Sequence, residues 1–172
     1  MPPMGWFGKL LIVGFLMALA SLIGGMTFSA GVVMTSPAME PAIPEGAKAF
    51  VNYSTANLKN LKRGQVVLVR VPGEETVLVR RVMAFGGETI EINQSVVLVN
   101  GTRVDEPWLH APNTEPRIEN PLPDYYPSTS VSGDDVFVLA DIRKGTRDSR
   151  QFGPVKREAI IGKVWTLFGM TF

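Results

Sequence analysis

The feature that most restricts this chain lies near its start: no charged side chain occurs between Lys9 and Glu40. Within that interval Leu10–Val33, LLIVGFLMALASLIGGMTFSAGVV, is predominantly apolar. As a helix rising about 1.5 Å per residue, it is long enough to cross a hydrocarbon core of about 30 Å. A cleaved secretory signal is the competing reading. The run exceeds the usual apolar region of about 7–15 residues, and the cut suggested by TFSA would place the bulky Phe28 where a small residue is wanted. The sequence therefore predicts a short cytoplasmic segment over 1–9, a retained single-pass anchor over 10–33 and a globular domain over 34–172. Trp6 and Phe7 are expected at the lipid interface. Lys9 and the free amine favour a cytoplasmic N-terminus, which puts the globular domain on the extracytoplasmic face.

Composition narrows the chemistry. Lys and Arg total 17 against 16 Asp and Glu, a net charge of +1 over 172 residues. That balance gives no electrostatic footprint for a nucleic-acid partner, and none is expected. The chain has no cysteine, which excludes disulfides, thiolate metal sites and thiol nucleophiles. Its single histidine, His110, rules out a His-pair metal site, and its setting EPWLHAPNTEP reads as a solvated, proline-rich loop. No metal or other cofactor is expected.

Beyond Gly46 the pattern turns to short segments rich in Val, Ile, Thr and Phe, separated by turn formers. Ala49–Tyr53, Gly64–Pro72, Glu75–Phe85, Glu88–Gln94, Ser95–Val104, Val136–Asp141 and Ala159–Phe168 read as strands. PGEE after Val71 reads as a hairpin turn, and Asn100-Gly101 is a strong hairpin signal. No segment after the anchor sustains helical periodicity, so the expected class is all-β, a barrel or sandwich. Asp105–Asp135 resists this pattern. It carries Pro107, Pro112, Pro116, Pro121, Pro123 and Pro127 with Trp108, Tyr125 and Tyr126, and it is far longer than an ordinary connection. It reads either as a surface excursion held down by its aromatics or as a partner-docking lid.

Four pieces then line up in order: an apolar run leading into SPAMEP (Ser36–Pro41), LKRGQVVLVRVP, VLVRRVMAFGGETI and VLADIRKGTRDSRQFG. Together they resemble the type I signal peptidases, serine proteases that cut signal sequences from exported proteins. The resemblance covers nearly the whole chain after its first few residues. Its most specific part is the last. Asp141, Arg143, Asp148, Ser149, Arg150 and Gly153 match the family's GDN-R-x4-DSR-x2-G box, and LVNGTRVDEPWL is similar to its NG…EP strand pair. The resemblance implies a mostly β domain with a long apolar groove, resting on or near lipid.

It also implies a Ser–Lys dyad, and both positions of the dyad are altered. The nucleophile stands before Met in the family's S-x-S-M-x-P box, where this chain has Ala38. The base stands in the strand before GGE, where this chain has Arg80. A methyl group offers no nucleophile. A guanidinium stays protonated in proteins, so it cannot take the proton that a desolvated lysine can accept. Ala140, Ile142 and Thr146 replace the box's usual Gly, Asn and Ser, and Gly86-Gly87-Glu88 replaces a PGD turn. Ser36 keeps the position whose hydroxyl helps the family's oxyanion hole, and Asp148 is expected to pair with Arg150 or Arg143 to fix the box.

Three roles remain open on these residues. The first is a membrane-anchored pseudoprotease that binds a protein partner or extended peptide, as an assembly factor or a subunit of a larger membrane complex. The second is an active signal peptidase with Ser36 as substitute nucleophile, helped by Lys48 or Lys62. The third is an anchor for which the β domain is a spacer. Changes at Arg80, Ala140 and Ile142 together fit drift after selection for catalysis ended better than a single engineered inactivation.

Overall fold

A computed structural model of the chain describes residues 29–53, 60–109 and 125–165. In chain order its strands are β1 (Ser29–Val33), β2 (Lys48–Asn52), β3 (Val66–Arg70), β4 (Val77–Phe85), β5 (Thr89–Asn93), β6 (Val96–Val99), β7 (Thr102–Arg103), β8 (Tyr126–Ser130), β9 (Asp135–Leu139), β10 (Val155–Lys156) and β11 (Ile160–Trp165). One sheet has the order β1-β2-β11-β3-β4-β9-β10 and the other β7-β6-β5-β8. Among the described residues every pairing is antiparallel. A four-residue helix, α1 (Ser149–Phe152), is the only α-helix among the described residues.

The apolar runs are continuous where both faces of a strand are covered. In β3, Val66 and Leu68 join a cluster with Met34, Met39, Ile43, Ala49, Val51 and Val164. Val67 and Val69 face the other way, into a cluster with Val82, Val138, Val155 and Ile160. A third cluster packs β4 and β9 against the second sheet, through Met83, Phe137 and Leu139 on one side and Ile90, Ile92 and Val97 on the other. The hairpin expected at Asn100-Gly101 is present between β6 and β7, and both residues have positive φ, 51° and 73°. At Gly86 a Cβ would lie 1.6 Å from the Gly133 carbonyl oxygen, so the turn after β4 admits no side chain there.

The fold is mostly β, as expected, with three corrections. Ser29–Val33, the last residues assigned to the anchor, form β1 and pair with β2 from Ser29↔Asn52 to Val33↔Lys48. Val32 packs against the core cluster beside β2, while Val33 is 58 % exposed. Secondly, the Asp105–Asp135 stretch is not wholly irregular, because β8 lies inside it and pairs with β5. Thirdly, Ser95–Val104 is two strands rather than one. Trp6, Phe7, residues 10–28 and His110 lie outside the described residues. Among the described residues no helix is long and apolar enough to cross a membrane.

Candidate functional site

The SPAMEP segment folds as a tight loop. Ser36 is extended and caps a 3-10 turn over Pro37–Met39, its Oγ accepting the Ala38 N–H at 3.3 Å. Proline suits this first position because its φ is already set and it has no N–H to satisfy. The Met39 side chain, fully buried, pins the loop into the β2–β3 side of the core. Ala38 is 2 % exposed, and its carbonyl accepts two N–H groups, from Asp141 at 2.9 Å and Ile142 at 3.0 Å. The loop is thus tied by its backbone to the start of the Asp141–Arg150 segment. Ser36 remains exposed, and among the described residues no side-chain nitrogen lies within hydrogen-bond distance of its hydroxyl. Lys48 and Lys62, both exposed, do not reach it.

Strand alternation sends Arg80 and Arg81 of β4 to opposite faces. Arg81, 1 % exposed, is fully engaged. Its Nε donates to Asp141 Oδ1 at 2.8 Å, Nη2 to Asp141 Oδ2, and Nη1 to the Gly64 carbonyl at 2.6 Å. The guanidinium also lies 4.5 Å from the centre of the Trp108 ring. Gly64 makes room for that ring, since a Cβ there would meet it at 2.8 Å. Burial pushes the Asp141 carboxyl up and the Arg81 fork pulls it back.

Arg80, 5 % exposed, has different partners. Its Nε donates to the Arg147 carbonyl and its Nη1 to the Val79 carbonyl, both at 2.6 Å. Among the described residues no carboxylate lies within ion-pair distance of it. Burial lowers its pKa, with Asp148 opposing the shift, but a guanidinium starts so high that it still cannot act as a base near neutral pH.

The box itself is a built scaffold. Asp148, fully buried, caps α1 and completes a capping box with Gln151. Its carboxylate accepts from Ala140 N at 3.0 Å, Arg150 N at 3.0 Å, Arg150 Nε at 2.9 Å and Arg150 Nη2 at 2.8 Å. Of the two partners expected for Asp148, Arg150 is therefore the one it takes. Arg143 goes elsewhere, to the Glu106 carboxylate and, through Nε, to the Ala140 carbonyl at 2.8 Å. Ser149 Oγ accepts the Val138 N–H at 3.0 Å, and Gly153 ends α1 at φ 79°. Thr146 Oγ1 donates to the Ile142 carbonyl at 2.5 Å, bracing the loop between them.

Sequence reasoning missed the roles of Arg81 and Glu106, whereas Trp108, expected to hold its excursion down, packs against the core with Tyr126. A signal for Arg81 was present: two arginines inside a strand of valines require buried partners. No cluster of three metal-ligating side chains occurs among the described residues.

With this geometry in view, the chain's relatives fall into one group. Residues 6–168 match the family model described as signal peptidase, peptidase S26, and the chain belongs to that family. A signal peptidase I of Bacillus amyloliquefaciens is 32 % identical over 133 residues, 77 % of this chain and 70 % of that protein. Signal peptidase I T of Bacillus subtilis is 28 % identical over 158 residues, 91 % of this chain and 80 % of the relative. Among solved structures, a signal peptidase I from Enterococcus faecalis aligns with TM-score 0.48 at 22 % identity, over 60 % of this chain and 96 % of that one.

Proposed function

We propose that this chain is a non-cleaving member of the signal peptidase family. It holds an extended polypeptide or protein partner at the extracytoplasmic membrane face, as a binding, assembly or structural subunit. The observation that carries this reading is the state of the two dyad positions. Ala38 is a buried methyl group, and Arg80 is a guanidinium clamped by two carbonyl oxygens. Nothing there attacks a carbonyl or takes a proton. The surrounding scaffold is intact, which fits a domain kept for its shape. An anchor within residues 10–28 would hold the domain against lipid.

The names of the relatives favour the second reading, an active signal peptidase. It would need Ser36 as nucleophile, yet Ser36 Oγ caps a turn and has no base beside it among the described residues.

The deciding experiment is cleavage of a signal-peptide substrate by the full chain in detergent, beside Ser36→Ala and the Ala38→Ser/Arg80→Lys double variant. We expect no turnover by the native chain and measurable turnover by the double variant. Turnover by the native chain that disappears in Ser36→Ala would overturn the proposal.

A further inference from the structure

Five arginines gather around β4 and the Asp141–Arg150 segment, and four of them have a carboxylate of their own. Arg81 takes Asp141, Arg143 takes Glu106, Arg147 takes Glu74 and Arg150 takes Asp148. Arg80 is the fifth. It is 5 % exposed, and both of its hydrogen bonds go to neutral backbone oxygens. Asp148 and Asp141 act on it only from beyond ion-pair distance. A buried charge with no counter-charge in contact is costly, and an anion brought to it gains what the protein itself leaves unmade.

One nitrogen of Arg80 is open to such a partner. Nε and Nη1 are used, and Nη2 bonds to nothing among the described residues. Nor is it sealed in, since the buried donors left without partners are Trp108 Nε1 and Arg143 Nη1. The Arg147 carbonyl that holds Arg80 ends the same short loop whose first two N–H groups hold Ala38. Beside it, Val77–Arg80 pair with β3 on one edge, while the β9 pairing on the other edge begins only at Arg81. A main-chain edge next to an unmatched cation suits an extended peptide that carries a negative charge at its end.

We propose that Arg80 Nη2 is the docking point for the C-terminal carboxylate of an extended peptide, so that this chain binds peptides ending at the site rather than running through it. The proposal rests on the non-cleaving reading above. A continuing peptide presents a neutral amide here, which leaves the cation unmatched. A terminal carboxylate supplies one negative charge and an acceptor for a charge-assisted hydrogen bond. Phosphate would bring more charge and more acceptor oxygens than one free nitrogen can satisfy.

The test uses the full chain in detergent and two fluorescein-labelled apolar peptides of one sequence, one ending in a free acid and the other in an amide. Fluorescence anisotropy should show the acid binding about tenfold tighter or more, the usual worth of a hydrogen bond to a charged group. Arg80→Gln should bring the two affinities to within about twofold, because the charge is gone. Arg147→Gln removes a neighbouring exposed charge that already serves Glu74, and should leave the preference in place. Inorganic phosphate, added as competitor, should displace the acid peptide no better than acetate does.

Equal affinity for acid and amide in the native chain overturns the proposal, as does failure of both peptides to bind. A preference that survives Arg80→Gln, or that vanishes in Arg147→Gln, overturns it too, as does strong displacement by phosphate. Should Arg80→Gln fail to fold, as its thermal melt would reveal, Arg80→Met takes its place, and the native acid-to-amide ratio remains decisive. Cleavage of a longer peptide spanning the site would overturn the non-cleaving reading itself. Loss of the acid preference alone leaves that reading standing.

Discussion

Arg80 and Arg81 are adjacent, identical in chemistry and almost equally buried, yet the two faces of β4 treat them in opposite ways. On one face Arg81 is met by a bidentate carboxylate, a carbonyl and an aromatic ring. On the other, Arg80 is met by two carbonyls and, among the described residues, no carboxylate. The difference separates scaffold from chemistry. The Arg81 face joins β4 to the Asp141 end of the box and to the Trp108 segment, so it holds the fold together. The Arg80 face occupies the position where the family resemblance puts a base, and the packing there asks only that the side chain be tethered.

Breaking the Arg81 face should have the largest effect. Asp141→Ala leaves Arg81 buried and unpaired, and should cost about 3–5 kcal/mol in a urea unfolding titration. A cost near zero would mean that the pair is not part of the scaffold. Next comes Asp148→Asn, which weakens the acceptor for Arg150 and the cap of α1. A loss of about 2 kcal/mol is expected from the same titration, given the charged hydrogen bonds at stake. Arg80→Met should be milder, no more than about 1 kcal/mol, since it removes an unmatched charge along with two bonds to carbonyls. If Arg80→Met proved as damaging as Asp141→Ala, the contrast between the two faces would collapse.

The smallest expected effect is a slope with pH. Burial pushes the Glu106 carboxyl above its ordinary value, with Arg143 pulling it back. The folded chain then binds more protons there than the unfolded chain. Its contribution to stability is therefore greatest at low pH and declines as pH rises from the ordinary glutamate value through the raised one. Urea midpoints measured across that range should fall less steeply in Glu106→Gln than in the native chain. An identical slope in both would remove Glu106 from the explanation.

Much of the fold was legible because its strands alternate and its turns carry Gly, Asn and Pro. The segments missed share one property: their pattern points elsewhere. Ser29–Val33 continues an uncharged run and so reads as lipid-facing, although a strand partner already satisfies its backbone. Tyr126–Ser130 contains Pro127 and is largely exposed, which reads as loop. It pairs with β5 at the edge of its sheet, where proline is tolerated. Helix α1 is too short for any periodicity, and only its Asp148…Gln151 capping pair announces it.

The site divides in the same way. By itself the sequence determined that Ala38 carries no nucleophile and Arg80 no usable base, because those are properties of side-chain chemistry wherever the residues lie. It determined the hairpin at Asn100-Gly101 too, since positive φ is a local demand. Which arginine meets which carboxylate was decided only by tertiary structure. Arg81 and Asp141 are separated by 60 positions, and their pairing depends on the register that sets Arg81 opposite Leu139 in β9. Asp148 had two arginines available by sequence and took Arg150, while the fold brought Glu106 to Arg143. Charge pairing follows from strand register and packing, and these are settled only when distant segments meet. That is why Arg80 ends without a carboxylate among the described residues, in a chain whose composition is almost evenly charged.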